Sequence, residues 1–126
     1  MLLQPSPNLE RKPNIVTILS MSKKSKIPPC DIYIDVSTFM DDLWGYPYTG
    51  TEPIIQNTLY KFHKWLFVNL AELIKSLPVE SGLVVVLVCE AGERRSVASA
   101  ELLARALQVY RNVEVYHKEL AKWFKF

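Results

Sequence analysis

Hydrophobic residues along this chain follow two different spacings, which separate strand segments from helix segments. Short apolar runs at residues 14–20, 31–36, 83–88 and 113–116 predict four β-strands. Pro53 is favourable as the first residue of a helix, and apolar residues then recur every three or four positions until Pro78 ends the pattern. The predicted buried face of this long amphipathic helix consists of Ile55, Leu59, Phe62, Leu66, Leu70, Leu73 and Leu77.

Two further helices are predicted in the C-terminal third, at residues 96–109 and 118–126. The apolar side of the first consists of Val97, Ala100, Ala104 and Leu107. The alternation of strands and helices indicates an α/β fold, a three-layer sandwich with a small, mostly parallel sheet. Ligands of such sheets bind at the carboxyl ends of the strands. Those ends carry a lysine loop (21–29), an aromatic loop (37–52) and a glycine loop (89–96).

Length and composition fit one globular domain. The chain has 126 residues, of which 49% are hydrophobic and 22% are charged, which is enough for a core and unlike a disordered chain. Residues 1–13 are polar and proline-rich and predict a mobile arm, followed by a single domain over residues 14–126. Two cysteines exclude a disulfide scaffold and favour a cytoplasmic location. No segment is long and apolar enough to predict a membrane span.

Charge is distributed unevenly, although the net charge is only +2. Residues 1–29 hold five lysines and arginines against one glutamate, and residues 94–126 hold seven against three. Both segments contribute to the predicted ligand-binding edge, so a local basic surface is expected there. The two histidines and two cysteines lack metal-ligand spacing, and no Gly-x4-Gly-Lys-Ser/Thr motif occurs, so neither a metal nor a cofactor is predicted.

The glycine loop, Cys89-Glu90-Ala91-Gly92-Glu93-Arg94-Arg95-Ser96, carries the most chemical information. It leaves a predicted strand and enters a helix, so backbone N–H groups and the positive end of the helix dipole converge on one place. Gly92 lets the backbone approach a ligand closely, and Arg95 offers a planar fork to phosphate oxygens. The sequence therefore predicts a strand–phosphate loop–helix unit. The competing interpretation is a glycine turn with two surface arginines.

The same loop also matches the Cys-x5-Arg loop of protein tyrosine phosphatases. In that chemistry the cysteine thiolate attacks the phosphate, and both the helix dipole and the arginine favour a thiolate. Under this hypothesis Cys89, Arg95 and Ser96 are the catalytic residues, and a general acid is also required. The candidates for the acid, none of which stands in a Trp-Pro-Asp sequence, are Asp35, Asp41 and Asp42.

Five segments spread between Ile15 and Leu120 match, in order, the motifs of one known family. They are Ser20-Met21-Ser22-Lys23-Lys24-Ser25-Lys26-Ile27-Pro28, Asp35-Val36-Ser37, Tyr48-Thr49-Gly50-Thr51-Glu52, the glycine loop, and His117-Lys118-Glu119-Leu120. The family motifs are Ser-Phe-Gly-x-Lys-x-Gly-x-Pro, Asp-Val-Arg, Leu-Thr-Gly-x-Asp, Cys-Thr-Gly-Gly-x-His-Arg-Ser and His-Arg-Asp/Glu-Leu. On these segments the chain resembles the C-terminal domain of RapZ, the bacterial RNase adapter protein.

The resemblance implies a binding domain rather than a phosphatase. In the family this domain senses glucosamine-6-phosphate and binds small regulatory RNAs, which it delivers to ribonuclease E. The phosphate-binding residues that the resemblance implies are Cys89, Glu90, Gly92, Arg94, Arg95 and Ser96, with Lys24 from the lysine loop. The sequence departs from the family where Ser22 and Lys26 replace two glycines, Ser37 replaces an arginine and Arg94 replaces a histidine.

Three hypotheses follow for the function. The first is a non-catalytic regulatory domain that binds a phosphosugar, a nucleotide or an RNA phosphate. The second is a cysteine-dependent phosphatase, and the third is an RNA-interaction module without a small ligand. A regulatory RNA, a protein partner and a homo-oligomer all stay open as partners. The candidate ligand-binding residues are Lys24, Cys89, Glu90, Ala91, Gly92, Glu93, Arg94, Arg95, Ser96 and His117, the last because it ends a strand on the expected ligand side.

Overall fold

A five-stranded sheet lies at the centre of the computed structural model, which describes residues 11–41 and 47–126. Its strands are β1 (Ile15–Ser22), β2 (Ile32–Asp35), β3 (Leu83–Cys89), β4 (Asn112–His117) and β5 (Lys122–Lys125). The order across the sheet is β2-β3-β1-β4-β5, and only the pairing of β4 with β5 is antiparallel. The predicted α/β fold with a mostly parallel sheet is thereby confirmed.

Two helices, α1 (Pro53–Lys75) and α2 (Arg95–Leu107), pack against each other and against one face of this sheet. The crossovers from β2 to β3 and from β3 to β4 advance in the same direction across the sheet. Because such crossovers are right-handed, they place both helices on the same face. The predicted apolar side of α2 is confirmed, since all four residues are fully buried: Val97, Ala100, Ala104 and Leu107.

The opposite face of the sheet is covered in part by the segment between β1 and β2. Ile27 and Cys30 of this segment pack against buried residues of the two central strands. Those buried residues are Leu19, Met21, Val84, Val86 and Val88. The helices, the sheet and this covering segment are consistent with a small three-layer α/β domain, as predicted.

The described end of the predicted arm is attached to the domain. Lys12 donates to Glu114 at 2.7 Å and lies 4.6 Å from the ring centroid of Trp123. Arg11 forms an ion pair with Asp31. Residues 1–10 of the arm lie outside the described residues, as do residues 42–46 of the aromatic loop and with them Asp42.

The C-terminal segment is not the predicted helix. Residues 118–120 form one 3-10 turn, which ends at Ala121, a residue with a left-handed backbone (φ 51°). Residues 122–125 then form β5, and Trp123 packs across the strand pair on Tyr116, with 5.2 Å between ring centroids. The helix prediction is wrong because pairing with β4 and aromatic cross-strand contacts decide the structure of this short segment.

Helix α1 begins at the predicted residue but buries a different face. Phe62 and Leu73, both predicted to be buried, are 64% and 51% exposed. The backbone of His63 is not helical (φ −130°, ψ 22°), and this kink changes the phase of the apolar stripe. The stripe prediction is therefore wrong for part of the helix. The residues that α1 does bury are Ile55, Gln56, Leu59, Phe67, Leu70, Ala71 and Ile74.

Candidate functional site

The glycine loop joins the end of β3 to the first turn of α2 and folds back over the thiol of Cys89. The backbone N–H of Ser96 donates to Cys89 Sγ at 3.4 Å, and the thiol lies 3.3 Å from Ser96 Oγ. Cys89 is buried, with 2% of its surface exposed. The strand end, the loop and the positive end of the helix dipole therefore meet at one point, as the sequence predicts for an anion site.

Gly92 holds the loop in this shape because no other residue fits its position. Its φ is +73°, and an added Cβ would lie 2.4 Å from the backbone nitrogen of Ser22 and 2.6 Å from Met21 C. Glu119 borders the same point, and its Oε2 accepts from the Ser22 N–H at 3.0 Å. The loop is thereby packed against the end of β1, and a side chain at residue 92 would push it away.

Gly50, at the end of the aromatic loop, makes a second close contact with the glycine loop. Its N–H donates to the Glu93 carbonyl at 2.8 Å. An added Cβ at Gly50 would lie 2.2 Å from the Arg94 carbonyl oxygen and 2.4 Å from the Ala98 nitrogen. Gly50 was not among the predicted site residues, although its Thr-Gly turn is one of the segments that carry the family resemblance.

Neither arginine of the loop is a fully exposed surface residue, as the interpretation of a glycine turn with two surface arginines would require. Arg95 is buried, and its Nη1 donates to the Met40 carbonyl at 2.9 Å, which ties the start of α2 to the turn after β2. Arg94 is half-buried at the residue before the helix. A small pocket of about 10 Å³ lies between the loop and this first turn, enough for about one water molecule. Its lining is Cys89, Ala91, Glu93, Arg94 and Arg95.

Four charged residues from the ends of β1, β2 and β3 form what we call the lysine cluster: Lys23, Lys24, Asp35 and Glu90. Glu90 lies 3.2 Å from Lys23 Nζ and 3.1 Å from Lys24 Nζ, and Asp35 lies 3.7 Å from Lys23 Nζ. Hydrogen bonds from Lys24 and Lys23 lower the pKa of Glu90. The charge that Lys24 was predicted to offer to a ligand is therefore engaged with Glu90, a residue of the predicted loop itself.

Asp35 is held as a carboxylate, which bears on the phosphatase hypothesis. Burial acts to raise its pKa, but hydrogen bonds from Ser37 and the nearby Lys23 outweigh burial and lower the pKa of Asp35. The Ser37 N–H donates to Asp35 Oδ1 at 3.0 Å. A general acid must hold a proton at working pH, so these contacts disfavour Asp35 in that role.

His117 belongs to a second group of polar residues, which connects the sheet to both helices and which we call the buried cluster: Ser20, Gln56, Glu101 and His117. His117 is 0% exposed, its Nδ1 lies 2.7 Å from Ser20 Oγ, and its Nε2 lies 2.8 Å from Glu101 Oε2. Gln56 Nε2 donates to Glu101 Oε1 at 2.9 Å and to the Gly50 carbonyl at 2.8 Å. Both nitrogens of His117 are occupied, so a ligand would have to displace one of these partners.

The structure thus brings together most of the predicted site residues and separates one. The loop from Cys89 to Ser96 and Lys24 lie at the same edge of the sheet, because β1 and β3 are parallel neighbours whose register pairs Ser22 with Cys89. His117 ends β4 as predicted but its ring is enclosed beneath α2. It reaches the loop only indirectly, through Glu101, Gln56 and Gly50.

No protein-family model matches this chain, and no curated protein matches it. Within residues 11–41 and 47–126, no helix is long and apolar enough to cross a membrane. The same residues contain no group of three histidine, cysteine, aspartate or glutamate side chains placed to hold a metal ion.

Proposed function

We propose that this chain is a non-catalytic regulatory domain of the RapZ C-terminal type, which binds a phosphorylated ligand at the Cys89–Ser96 loop. The observation that carries the proposal is the loop folded back over Cys89, with the Ser96 N–H 3.4 Å from the sulfur and Gly92 at φ +73°. Such a loop at a helix N-terminus favours an anion through backbone N–H groups and the helix dipole. The ligand is a phosphosugar, a nucleotide or an RNA phosphate.

The ligand phosphate would lie at the mouth of the loop rather than inside it, because the pocket between loop and helix holds only about 10 Å³. At the mouth, Lys24 is 73% exposed on its side chain and can exchange its partner Glu90 for a phosphate oxygen. An exposed ion pair of this kind contributes little to stability, so its exchange costs little. Binding by exchange suits a domain that senses a ligand without reacting with it.

The two cysteines support a cytoplasmic location for this function. Both are free thiols, Cys89 buried in the loop and Cys30 half-buried against the sheet. Free thiols persist in reducing compartments such as the cytosol. We therefore place the proposed sensing function in the cytoplasm.

Calorimetric titration with inorganic phosphate, glucosamine-6-phosphate and a short single-stranded RNA tests the proposal. We expect at least one of the three to bind, and Lys24→Ala to weaken that binding several-fold. Lys26→Ala is the matched control, since Lys26 is an exposed lysine of the same loop. The absence of binding by all three ligands, or equal weakening by both variants, would contradict the proposal.

The same titrations separate a small-ligand site from an RNA-interaction module. If RNA binds through its phosphates at the loop, glucosamine-6-phosphate should compete with it. RNA binding that falls steeply with salt and does not respond to the phosphosugar would instead favour the module without a small ligand.

A cysteine-dependent phosphatase is the second candidate, favoured by the contact of Cys89 with both the N–H and the hydroxyl of Ser96. Both groups can stabilise a thiolate. This candidate predicts turnover of an aryl phosphate by the wild-type protein and complete loss of turnover in Cys89→Ser. The non-catalytic proposal predicts no turnover by the wild type and phosphate binding that survives Cys89→Ser.

A further inference from the structure

Ser22, the last residue of β1, joins the two loops that carry the candidate phosphate-binding residues. Its hydroxyl donates to the Glu90 carbonyl at 2.6 Å and accepts from the Lys24 N–H at 3.1 Å. One hydroxyl thus contacts the glycine loop on one side and the lysine loop on the other. Neither contact belongs to the pairing of β1 with β3, so both depend on the serine side chain.

The backbone of Ser22 is held independently of its hydroxyl. Its N–H donates to Glu119 Oε2 at 3.0 Å, and its carbonyl accepts from the Ser25 N–H at 3.1 Å. Ser22 also pairs with Cys89 in the register of β1 and β3, and only 8% of its surface is exposed. The hydroxyl therefore projects from a fixed strand end and can serve as an anchor for both loops.

The hydrogen bond to Glu90 orients the next peptide group of the glycine loop. In a trans peptide the C=O and the following N–H point in opposite directions, and no cis peptide bond occurs in the part of the chain that the structure describes. Because the Glu90 carbonyl is directed at Ser22, the Ala91 N–H is directed away from Ser22. Ala91 also lines the small pocket between the glycine loop and the first turn of α2.

We propose that Ser22 is a positioning residue of the phosphate site. Its hydroxyl holds the Glu90 carbonyl away from the ligand, directs the Ala91 N–H toward the ligand, and fixes the backbone of Lys24 beside the glycine loop. This role rests on the phosphate-binding function proposed above and adds to it the group that orders the two loops before the ligand arrives. Such preorganisation increases affinity because binding no longer has to order the loops.

The contacts of Ser22 are compatible with the exchange of partners by Lys24. When the Lys24 side chain leaves the Glu90 carboxylate for a phosphate oxygen, only an ion pair between side chains is broken. The Ser22 hydroxyl contacts the carbonyl of Glu90 and the N–H of Lys24, which are backbone groups that this exchange does not involve. The two loops therefore keep their relative position while the ligand binds.

The serine is a specific feature of this chain. In the motif that the lysine loop resembles, a glycine stands at the position of Ser22. A glycine has no hydroxyl with which to join the two loops, so the resemblance alone does not predict this role.

Calorimetric titration of Ser22→Ala tests the role, with inorganic phosphate, glucosamine-6-phosphate and a short single-stranded RNA as probes. We expect affinity to fall about tenfold for each probe that the wild type binds, which is the equivalent of about one hydrogen bond. Ser25→Ala is the matched control and should leave affinity unchanged. Ser25 lies in the same loop and contacts Ser22 through its backbone N–H, which alanine keeps.

The amide resonance of Ala91 distinguishes positioning from a general loss of stability. In the wild type, a bound probe should shift this resonance, because the Ala91 N–H donates to the ligand. In Ser22→Ala the shift at saturation should be smaller, while the resonance of Val85 in the core of the sheet stays unchanged. The wild-type measurement needs no variant, so it tests the proposal even if Ser22→Ala does not fold.

The outcomes separate this role from the function on which it rests. If the wild type binds none of the three probes, the proposed function is contradicted and the role of Ser22 with it. Three results would overturn the role of Ser22 alone, provided that the wild type binds a probe. They are an affinity that Ser22→Ala leaves unchanged, equal weakening by Ser25→Ala, and an Ala91 resonance that the bound probe does not shift.

Discussion

The buried cluster and the lysine cluster use similar side chains in opposite surroundings. In the buried cluster, Glu101 of α2 accepts from His117 and from Gln56 of α1, and all three side chains are buried. In the lysine cluster, Glu90 accepts from Lys23 and Lys24 at the solvent-exposed mouth of the loop. The buried cluster links β4 to Gly50, which contacts the glycine loop, and the lysine cluster links the end of β1 to the glycine loop itself. Only the lysine cluster is exposed to water.

The difference in exposure separates a structural role from a binding role. A buried carboxylate that loses its partners keeps its full desolvation cost, so the buried cluster cannot exchange partners cheaply. An exposed carboxylate is solvated by water when a lysine leaves it, so the lysine cluster can exchange partners with a ligand. We therefore expect changes in the buried cluster to lower stability and changes in the lysine cluster to alter binding.

The largest effect is expected from Glu101→Ala. The substitution leaves His117 Nε2 and one N–H of the Gln56 amide buried without an acceptor, and each unsatisfied buried group of this kind costs about 1–3 kcal/mol. Urea unfolding measures the free-energy change. Glu80→Ala, an exposed glutamate elsewhere in the chain, should stay within about 0.5 kcal/mol of the wild type. Equal losses in the two variants would show that the buried cluster has no special structural role.

A smaller loss is expected from Gly92→Ala, which alters the loop that both clusters surround. The added Cβ would collide with Ser22 and Glu119, and φ +73° is strained for alanine, so stability should fall by about 1–3 kcal/mol. Phosphate binding should be lost at the same time, because the loop must move. Gly82→Ala is the control, because Gly82 also has a positive φ (+85°) but lies outside the loop, so it should lower stability and leave phosphate binding unchanged. Phosphate binding that survives Gly92→Ala would contradict the proposed role of the loop.

Much of the candidate site could be predicted from the sequence because its signals are local. An apolar run, a glycine, two arginines and a helix follow one another within the segment from Leu83 to Leu107. Parallel strands place their carboxyl ends at one edge, so the lysine loop was expected near the glycine loop. The ion pairs of Glu90 with Lys23 and Lys24 depend on side chains about 66 residues apart in sequence, and no local pattern indicates them.

The errors of prediction arise where tertiary contacts decide the structure. The apolar stripe of α1 was assigned on the assumption of one continuous helical phase, and the phase change at His63 leaves Leu73 on the exposed face. Phe62, which precedes the kink, is exposed as well. The C-terminal segment was assigned as a helix, but pairing with β4 makes it a strand. His117 was correctly placed at a strand end, yet its partner Glu101 is reached only when α2 crosses over the sheet.

The stability of the protein at acid pH depends on the carboxylates whose pKa values are lowered by hydrogen bonds and ion pairs. The hydrogen bond from Arg11 lowers the pKa of Asp31 against the opposing effect of burial, with help from the Val84 N–H, and the pKa values of Asp35 and Glu90 are also lowered. A lowered folded-state pKa adds stability above the unfolded pKa of about 4, and that stability is lost as pH falls through the folded value.

The thermal midpoint should therefore stay level from pH 7 to 5 and fall below about pH 4. The fall should be smaller in Asp31→Asn, which removes one of the three lowered pKa values. Differential scanning fluorimetry across this range measures the effect. A midpoint that does not fall below pH 4 would contradict the assignment of these carboxylates as stabilised by their partners.

The smallest effect on stability is expected from Glu90→Gln. This variant also distinguishes best between the structural role of the buried cluster and the binding role of the lysine cluster. Its ion pairs are exposed, so stability should stay close to that of the wild type. Phosphate affinity should nevertheless rise several-fold, because Lys23 and Lys24 are released from a competing carboxylate. Glu93→Gln removes the same charge from the same loop, and calorimetry of both variants separates the local effect from the change in net charge. An equal rise in both would mean that net charge, rather than release of the lysines, controls phosphate affinity.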